Sequence, residues 1–197
     1  MKRVLLLVFV FCAVVSLSAQ HYAGFGIYGE FGIAVGGAWT SIDGIDPADV
    51  LDANTNLGVD VSLKGGFDIS GNRSLYLVGE ISGVGHRFAD VLGSNYYVQY
   101  NSYLIGPGLV FYPHPGFQLS GSIGYSWTAN TTDIPYVSMY DGNGIAFNVA
   151  GAVDVGMGHN GLLVGLKYHY SNNSLESSAG DMSTSFFGAF VRYRFKN

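Results

Sequence analysis

Two residues near the end of an alternating segment offer the clearest chemistry in the chain. In Lys167-Tyr168-His169-Tyr170-Ser171-Asn172, His169 and Ser171 stand at i and i+2. On an extended strand that spacing puts both side chains on one face. An imidazole beside a hydroxyl is the arrangement that turns serine into a nucleophile. Asn172 would then supply an amide donor to an oxyanion, and Asp181 or Glu176 would orient the imidazole. The structural alternative is an alternating Tyr-x-Tyr strand that runs into a Ser-Asn loop.

Other candidates are weaker. Gly24-Phe-Gly26-Ile-Tyr-Gly29 matches the dinucleotide fingerprint as a string, but it lies within an alternating segment and no helix follows. Asp43, Asp46, Asp49 and Asp52 recur every three residues, and Asp46-Pro47-Ala48-Asp49-Val50-Leu51 has the spacing of a short helix. Calcium favours several carboxylates, but the twelve-residue calcium-loop spacing is missing, so a solvated acidic face is expected and no metal or cofactor. Cys12 is the only cysteine.

The elements that position these residues follow from composition and period. Charged residues make up 12% of the 197, against about 25% in soluble domains. Aromatics reach 15% and glycine 29 residues, with a net charge of −5 and a pI near 5.3. That balance excludes disorder and disfavours nucleic-acid binding. Met1-Lys2-Arg3, the apolar run Val4 to Val15 and the small residues up to Ala19 have the layout of a secretory signal. Domain boundaries are therefore expected at 1–19 for the signal and 20–197 for the mature chain. Cleavage near Ala19 leaves seven basic against fourteen acidic residues and no cysteine, so no disulfide.

Eight segments then alternate with period two, which a helix would not sustain. Phe25, Ile27, Phe31, Ile33, Val35 and Trp39 oppose Tyr28, Glu30, Ala34 and Ala38. Leu57 to Ile69 places valines, leucines and Phe67 opposite Asp60, Lys64 and Asp68. In the third segment Leu75, Leu77 and Ile81 oppose Tyr76, Glu80 and Ser82, with Val78 and Val84 breaking the polarity. In the fourth, Tyr96, Val98, Tyr100, Leu104, Val110 and Tyr112 are read as the apolar wall, and Pro107 predicts a bulge or distortion. The remaining four run near 117–127, 145–157, 162–170 and 184–195, with Asp154, Lys167, His169, Arg192 and Arg194 on their polar faces. Tight turns are predicted at 70–73, 113–116 and 158–161. Longer loops are predicted at 40–56, 89–95, 128–144 and 171–183.

Apolar faces ending in Trp39, Tyr96, Trp127 and Tyr170 at the loop end, and in Phe67, Tyr112, Phe117 and Phe195 at the turn end, read as interfacial girdles. Backbone groups cannot go unpaired in hydrocarbon, so the sheet must close. The fold class expected is all-β: an eight-stranded antiparallel meander transmembrane β-barrel. Glu30, Asp60, Lys64, Asp68, Glu80, Asp154, Lys167, Arg192 and Arg194 would then form a lumen charge network. Eight strands leave an interior that side chains fill.

Signal, alternation, loop pattern and the closing Phe187-Gly-Ala-Phe-Val-Arg192-Tyr193-Arg-Phe195 resemble the small outer-membrane barrels typified by OmpA, OmpX and OmpW. The resemblance implies an outer-membrane monomer in contact with outer-membrane lipids. It also implies recognition by the barrel-assembly machinery through the strand ending at Phe195, which here is followed by Lys196 and Asn197. The role it implies is structural or surface-interactive, through loops whose partner the sequence does not name, or that of a narrow channel. His169-x-Ser171-Asn172 also resembles the signature of PagL-type lipid A deacylases. That likeness implies His169 as base, Ser171 as nucleophile and Asn172 as oxyanion donor, with Met182 and Ser183 standing where that family places a glutamate.

Overall fold

A computed structural model describes residues 26–51, 57–91, 96–135, 139, 141–156, 160–176 and 180–196. The signal segment with Cys12 and Ala19, and Gly24, Phe25, Asp52, Met157 and the first half of the turn at 158–161, lie outside the described residues.

The chain runs β1 (Ile27–Ile42), α1 (Pro47–Leu51), β2 (Leu57–Asp68), β3 (Leu75–Val91), β4 (Tyr96–His114), β5 (Phe117–Thr128), β6 (Thr131–Thr132), β7 (Gly142–Asp154), β8 (Asn160–Leu175) and β9 (Asp181–Lys196). Each long strand pairs antiparallel with the next, and β6 lies only against Val98 and Gln99 of β4. The ring closes where β1 pairs β9, from Tyr28↔Lys196 to Ile42↔Met182. Closure satisfies the backbone groups that an open edge would leave bare. α1 forms where sequence spacing places a short helix, and Asp46 Oδ1 accepts from the Ala48 N–H at 2.9 Å to cap it.

Side chains alternate across this wall. Phe31, Ile33, Val61, Ile105, Ile123, Ile145, Val149, Val164 and Val191 stand exposed on the outside. Glu30, Asp60, Lys64, Glu80, Asp154, Lys167, His169, Arg192 and Arg194 are buried within. Exposed apolar side chains on every long strand, around charges that are buried, invert the order of a water-soluble domain. Glycines let large rings lie flat on this wall: the Tyr103 ring covers its partner Gly83, where an added Cβ would sit 2.8 Å from it. The Phe195 ring covers Gly29 in the same way.

Three expectations need correction. First, β4 is turned over: Val98, Tyr100, Leu104, Val110 and Tyr112 point inward, while Ile105, Leu109 and Phe111 form its outer wall. Tyr112 therefore leaves the turn-end girdle and Phe111 takes its place. Both faces of β4 are apolar, because the lumen itself is apolar at its two ends. Second, β3 extends through 89–91, β8 through 175, and β9 begins at 181. Much of two segments read as loops is thus paired strand. Third, β6 lies inside what was read as one loop. At Pro107 the expected distortion takes the form of a gap in the ladder, not a bulge. β4 pairs β5 at Ile105↔Tyr125 and again at Gly108↔Ser122 in unchanged register, with Gly79↔Pro107 intact on the other side. The missing N–H simply removes a ladder bond.

Candidate functional site

The lumen is filled in layers. At the turn end Tyr28, Tyr76, Val78, Val110 and Tyr112 form one buried cluster. Gln118 Nε2 donates to Tyr28 Oη at 2.6 Å and Tyr112 Oη at 3.1 Å. Arg194 Nη2 lies 2.6 Å from Asp154 Oδ2, with both side chains fully buried.

Above this is a connected charge network. Glu30 Oε1 accepts from Arg192 Nη1 at 2.6 Å and lies 3.4 Å from Lys64 Nζ; Tyr28 Oη also donates to Glu30. Lys64 Nζ donates to Ser120 Oγ at 2.9 Å and lies 3.9 Å from Glu80 Oε2. Glu80 accepts from Ser122 Oγ at 2.5 Å and Asn148 Nδ2 at 2.8 Å. Lys167 Nζ donates to Asp60 Oδ2 at 2.7 Å and stands 3.8 Å from Glu80 Oε1. Three carboxylates (Glu30, Asp60, Glu80) thus meet three cations (Lys64, Lys167, Arg192), and the network is neutral. Neutrality matters because an unpaired buried charge is far more costly than a paired one.

Asp68 belongs elsewhere. Its carboxylate accepts from the Ser70 N–H and Oγ, at 2.9 and 2.6 Å, and from the Arg73 N–H at 2.9 Å. It fastens the β2–β3 turn and enters no ion pair among the described residues. The lumen continues upward through Ala34, Ala38, Val84, Phe186 and Phe190, and Arg192 stacks its guanidinium 3.9 Å from the Phe190 ring centroid. At the loop end Phe88, Val91, Val98, Tyr100 and Met182 close the top, with Leu51 of α1 and Ile134 packed against them.

His169 and Ser171 lie in this interior, both fully buried, on the same face as Lys167. β8 keeps continuous register from Leu163↔Asp154 to Ser174↔Asn143, so no bulge turns the pair toward lipid. The hydroxyl against the imidazole is Ser102, with Oγ 3.3 Å from His169 Nε2 and 2.7 Å from Ser171 Oγ. His169 Nδ1 lies 2.7 Å from Asn148 Oδ1. The Asn148 amide is fixed by its donation to Glu80, and an amide oxygen only accepts, so Nδ1 carries the ring proton. The remaining residues disperse. Asn172 is exposed on the opposite face from Ser171. Asp181 is exposed at the loop end, where its N–H donates to Asp43 Oδ1 at 2.9 Å and its carboxylate accepts from Ser174 Oγ at 2.8 Å. Glu176 donates its N–H to the Asp141 carbonyl. What exists is a serine–imidazole–amide row of Ser102, His169 and Asn148. Its side chains are buried inside the barrel, away from the outer wall.

Sequence reasoning missed Ser102 and Asn148 as partners of His169. Asn148 had the inward parity. Ser102 was hidden by the inverted reading of β4.

No protein-family model matches the chain, and no curated protein matches it by sequence. Solved structures do match in shape. Ail, the attachment invasion locus protein of Yersinia pestis, in complex with the heparin analogue sucrose octasulfate, is 14% identical, with a TM-score of 0.59 over 86% of this chain and 99% of that one. Neisserial surface protein A is 13% identical, with a TM-score of 0.50 over 86% of this chain and 96% of that one. The outer membrane protease OmpT of Escherichia coli is 9% identical, with a TM-score of 0.50 over 90% of this chain and all of that one. Identities this low speak to architecture alone. The closed meander, the inverted wall and these matches together give the chain the fold of the small outer-membrane β-barrels.

Proposed function

We propose that the chain is an outer-membrane barrel with an occluded lumen, whose role is structural or surface-interactive and runs through its loops. The observation that supports this is the neutral, fully buried charge network lying beneath an apolar cap. A conducting pore needs a hydrated path, and a lipid hydrolase needs a nucleophile that lipid can touch. The loop end offers Asp43, Asp46, Asp49, Asp133, Asp141, Glu176 and Asp181 to the outside. In this reading residues 1–19 direct export, and β9, ending near Phe195, is what the assembly machinery engages. The mature chain works as a monomer among outer-membrane lipids.

One preparation tests both halves. Mature protein reconstituted with lipid A is inserted into planar bilayers and, in parallel vesicles, incubated before the lipid A acyl chains are analysed. The expected result is no conductance steps and unchanged acylation. Reproducible steps across repeated insertions, or acyl loss that Ser171→Ala abolishes, would overturn it.

A further inference from the structure

Among the described residues of the long strands, outward-facing charge is confined to the loop end: Asp181 at the start of β9 and Arg87 on β3. On β3 the outward positions from the turn upward are Leu75, Leu77, Gly79, Ile81, Gly83, Gly85 and Arg87. Arg87 is exposed and lies between its partners Leu57 on β2 and Gln99 on β4. Twelve residues separate Leu75 from Arg87. At about 3.3 Å per residue that is about 40 Å of strand, or about 30 Å along the membrane normal at the usual tilt. A barrel's apolar band is about 25 Å tall, so the guanidinium stands just beyond it, at headgroup depth on the loop side.

Its surroundings suit an anion. The guanidinium sits 4.4 Å from the Tyr97 ring centroid, which holds it against the wall. Gln99 Nε2 donates one hydrogen to Asn101 Oδ1 at 2.6 Å. An amide nitrogen has two hydrogens, so a second donor remains beside Arg87. Among the residues whose side chains are described, no carboxylate lies within ion-pairing distance of Arg87. Asp133 turns its carboxylate to the Tyr97 N–H instead, at 2.6 Å. Four residues lower along β3, Gly83 pairs Tyr103, whose ring stacks on Trp127 at 5.2 Å on the outer wall. A planar, forked cation over a flat aromatic step is matched by a phosphate carrying acyl chains.

We propose that Arg87, with Tyr97 and Gln99 beside it, docks the phosphate of an anionic outer-leaflet lipid against the barrel wall. The inference rests on the outer-membrane reading given above. The probe is lipid A doped into phosphatidylcholine nanodiscs that hold the mature protein. After transfer to detergent, the lipid retained on the protein is measured by mass spectrometry, for the parent, for Arg87→Gln and for Arg73→Gln. Arg73 is exposed in the β2–β3 turn at the opposite end and serves as the control.

Arg87→Gln is expected to lower the retained ratio of lipid A to phosphatidylcholine about fivefold, with Arg73→Gln unchanged. Equal retention by Arg87→Gln and the parent would overturn the inference and leave Arg87 as a side chain that merely reaches water. An equal fall in Arg73→Gln would overturn it too, as general charge attraction. Heat-modifiable gel mobility of the same samples separates the two levels. A parent that never folds in the bilayer removes the outer-membrane reading together with this one; a folded parent matched by Arg87→Gln removes this one alone.

Discussion

Replacing Lys167 by methionine is the sharpest probe of the lumen. Lys167 Nζ is 2.7 Å from Asp60 Oδ2 and 3.8 Å from Glu80 Oε1, and the lysine and Asp60 side chains are fully buried. The central network is balanced at three charges of each sign, so Lys167→Met leaves one carboxylate in excess within a closed interior. Breaking a buried pair from one side costs about 3–5 kcal/mol, whereas removing both partners together is often close to neutral. Lys167→Met is therefore expected to lose about 4 kcal/mol. The double variant Asp60→Asn/Lys167→Met restores neutrality and should be about 3 kcal/mol more stable than Lys167→Met alone, a large non-additivity of the two substitutions. Reversible urea unfolding in phospholipid bilayers, followed by Trp39 and Trp127 fluorescence, reads all four corners of the cycle. A Lys167→Met protein within about 0.5 kcal/mol of the parent, with no coupling, would refute the reasoning and mean that these charges sit in water.

Two further outcomes are expected. Ile123, on the outer wall midway along β5, is 58% exposed. In a water-soluble protein Ile123→Arg would change stability by about 0.5 kcal/mol or less, but in hydrocarbon it should cost about 2–4 kcal/mol in the same unfolding assay. A silent substitution would take the wall out of the membrane. The intact mass of exported protein should correspond to a chain beginning at Gln20, and a mass that retains residues 1–19 would refute cleavage.

Strand positions and most facings were legible because period two is a local property. Phe31, Ile33 and Val35 against Glu30, Ala34 and Ala38 can be read without knowing any partner strand. β4 was not legible in this way. Val98, Tyr100 and Leu104 are as apolar as Ile105, Leu109 and Phe111, so hydropathy could not tell lumen from lipid. The choice is made by neighbours: Val110 and Tyr112 join Tyr28 and Tyr76 from β1 and β3 in the turn-end cluster. The partners of His169 were hidden for the same reason. Its partners come from β4 and β7, and they meet it only once the ring has closed and set which residues share a layer. Loop lengths were overestimated because β3, β8 and β9 continue past the apolar band in polar sequence that still pairs.

The seam between the first and last long strands has a mechanical consequence. Arg192 on β9 reaches Glu30 on β1 at 2.6 Å, directly across the final junction. Until those two strands meet, each side holds half of a charge pair at the edge of an unfinished sheet. Zipping the junction discharges both halves at once, so the last step of assembly is also the one that neutralises the interior. A barrel latched in this way has no comfortable half-open form: it should insert and unravel as a single unit, with breathing confined to its rim.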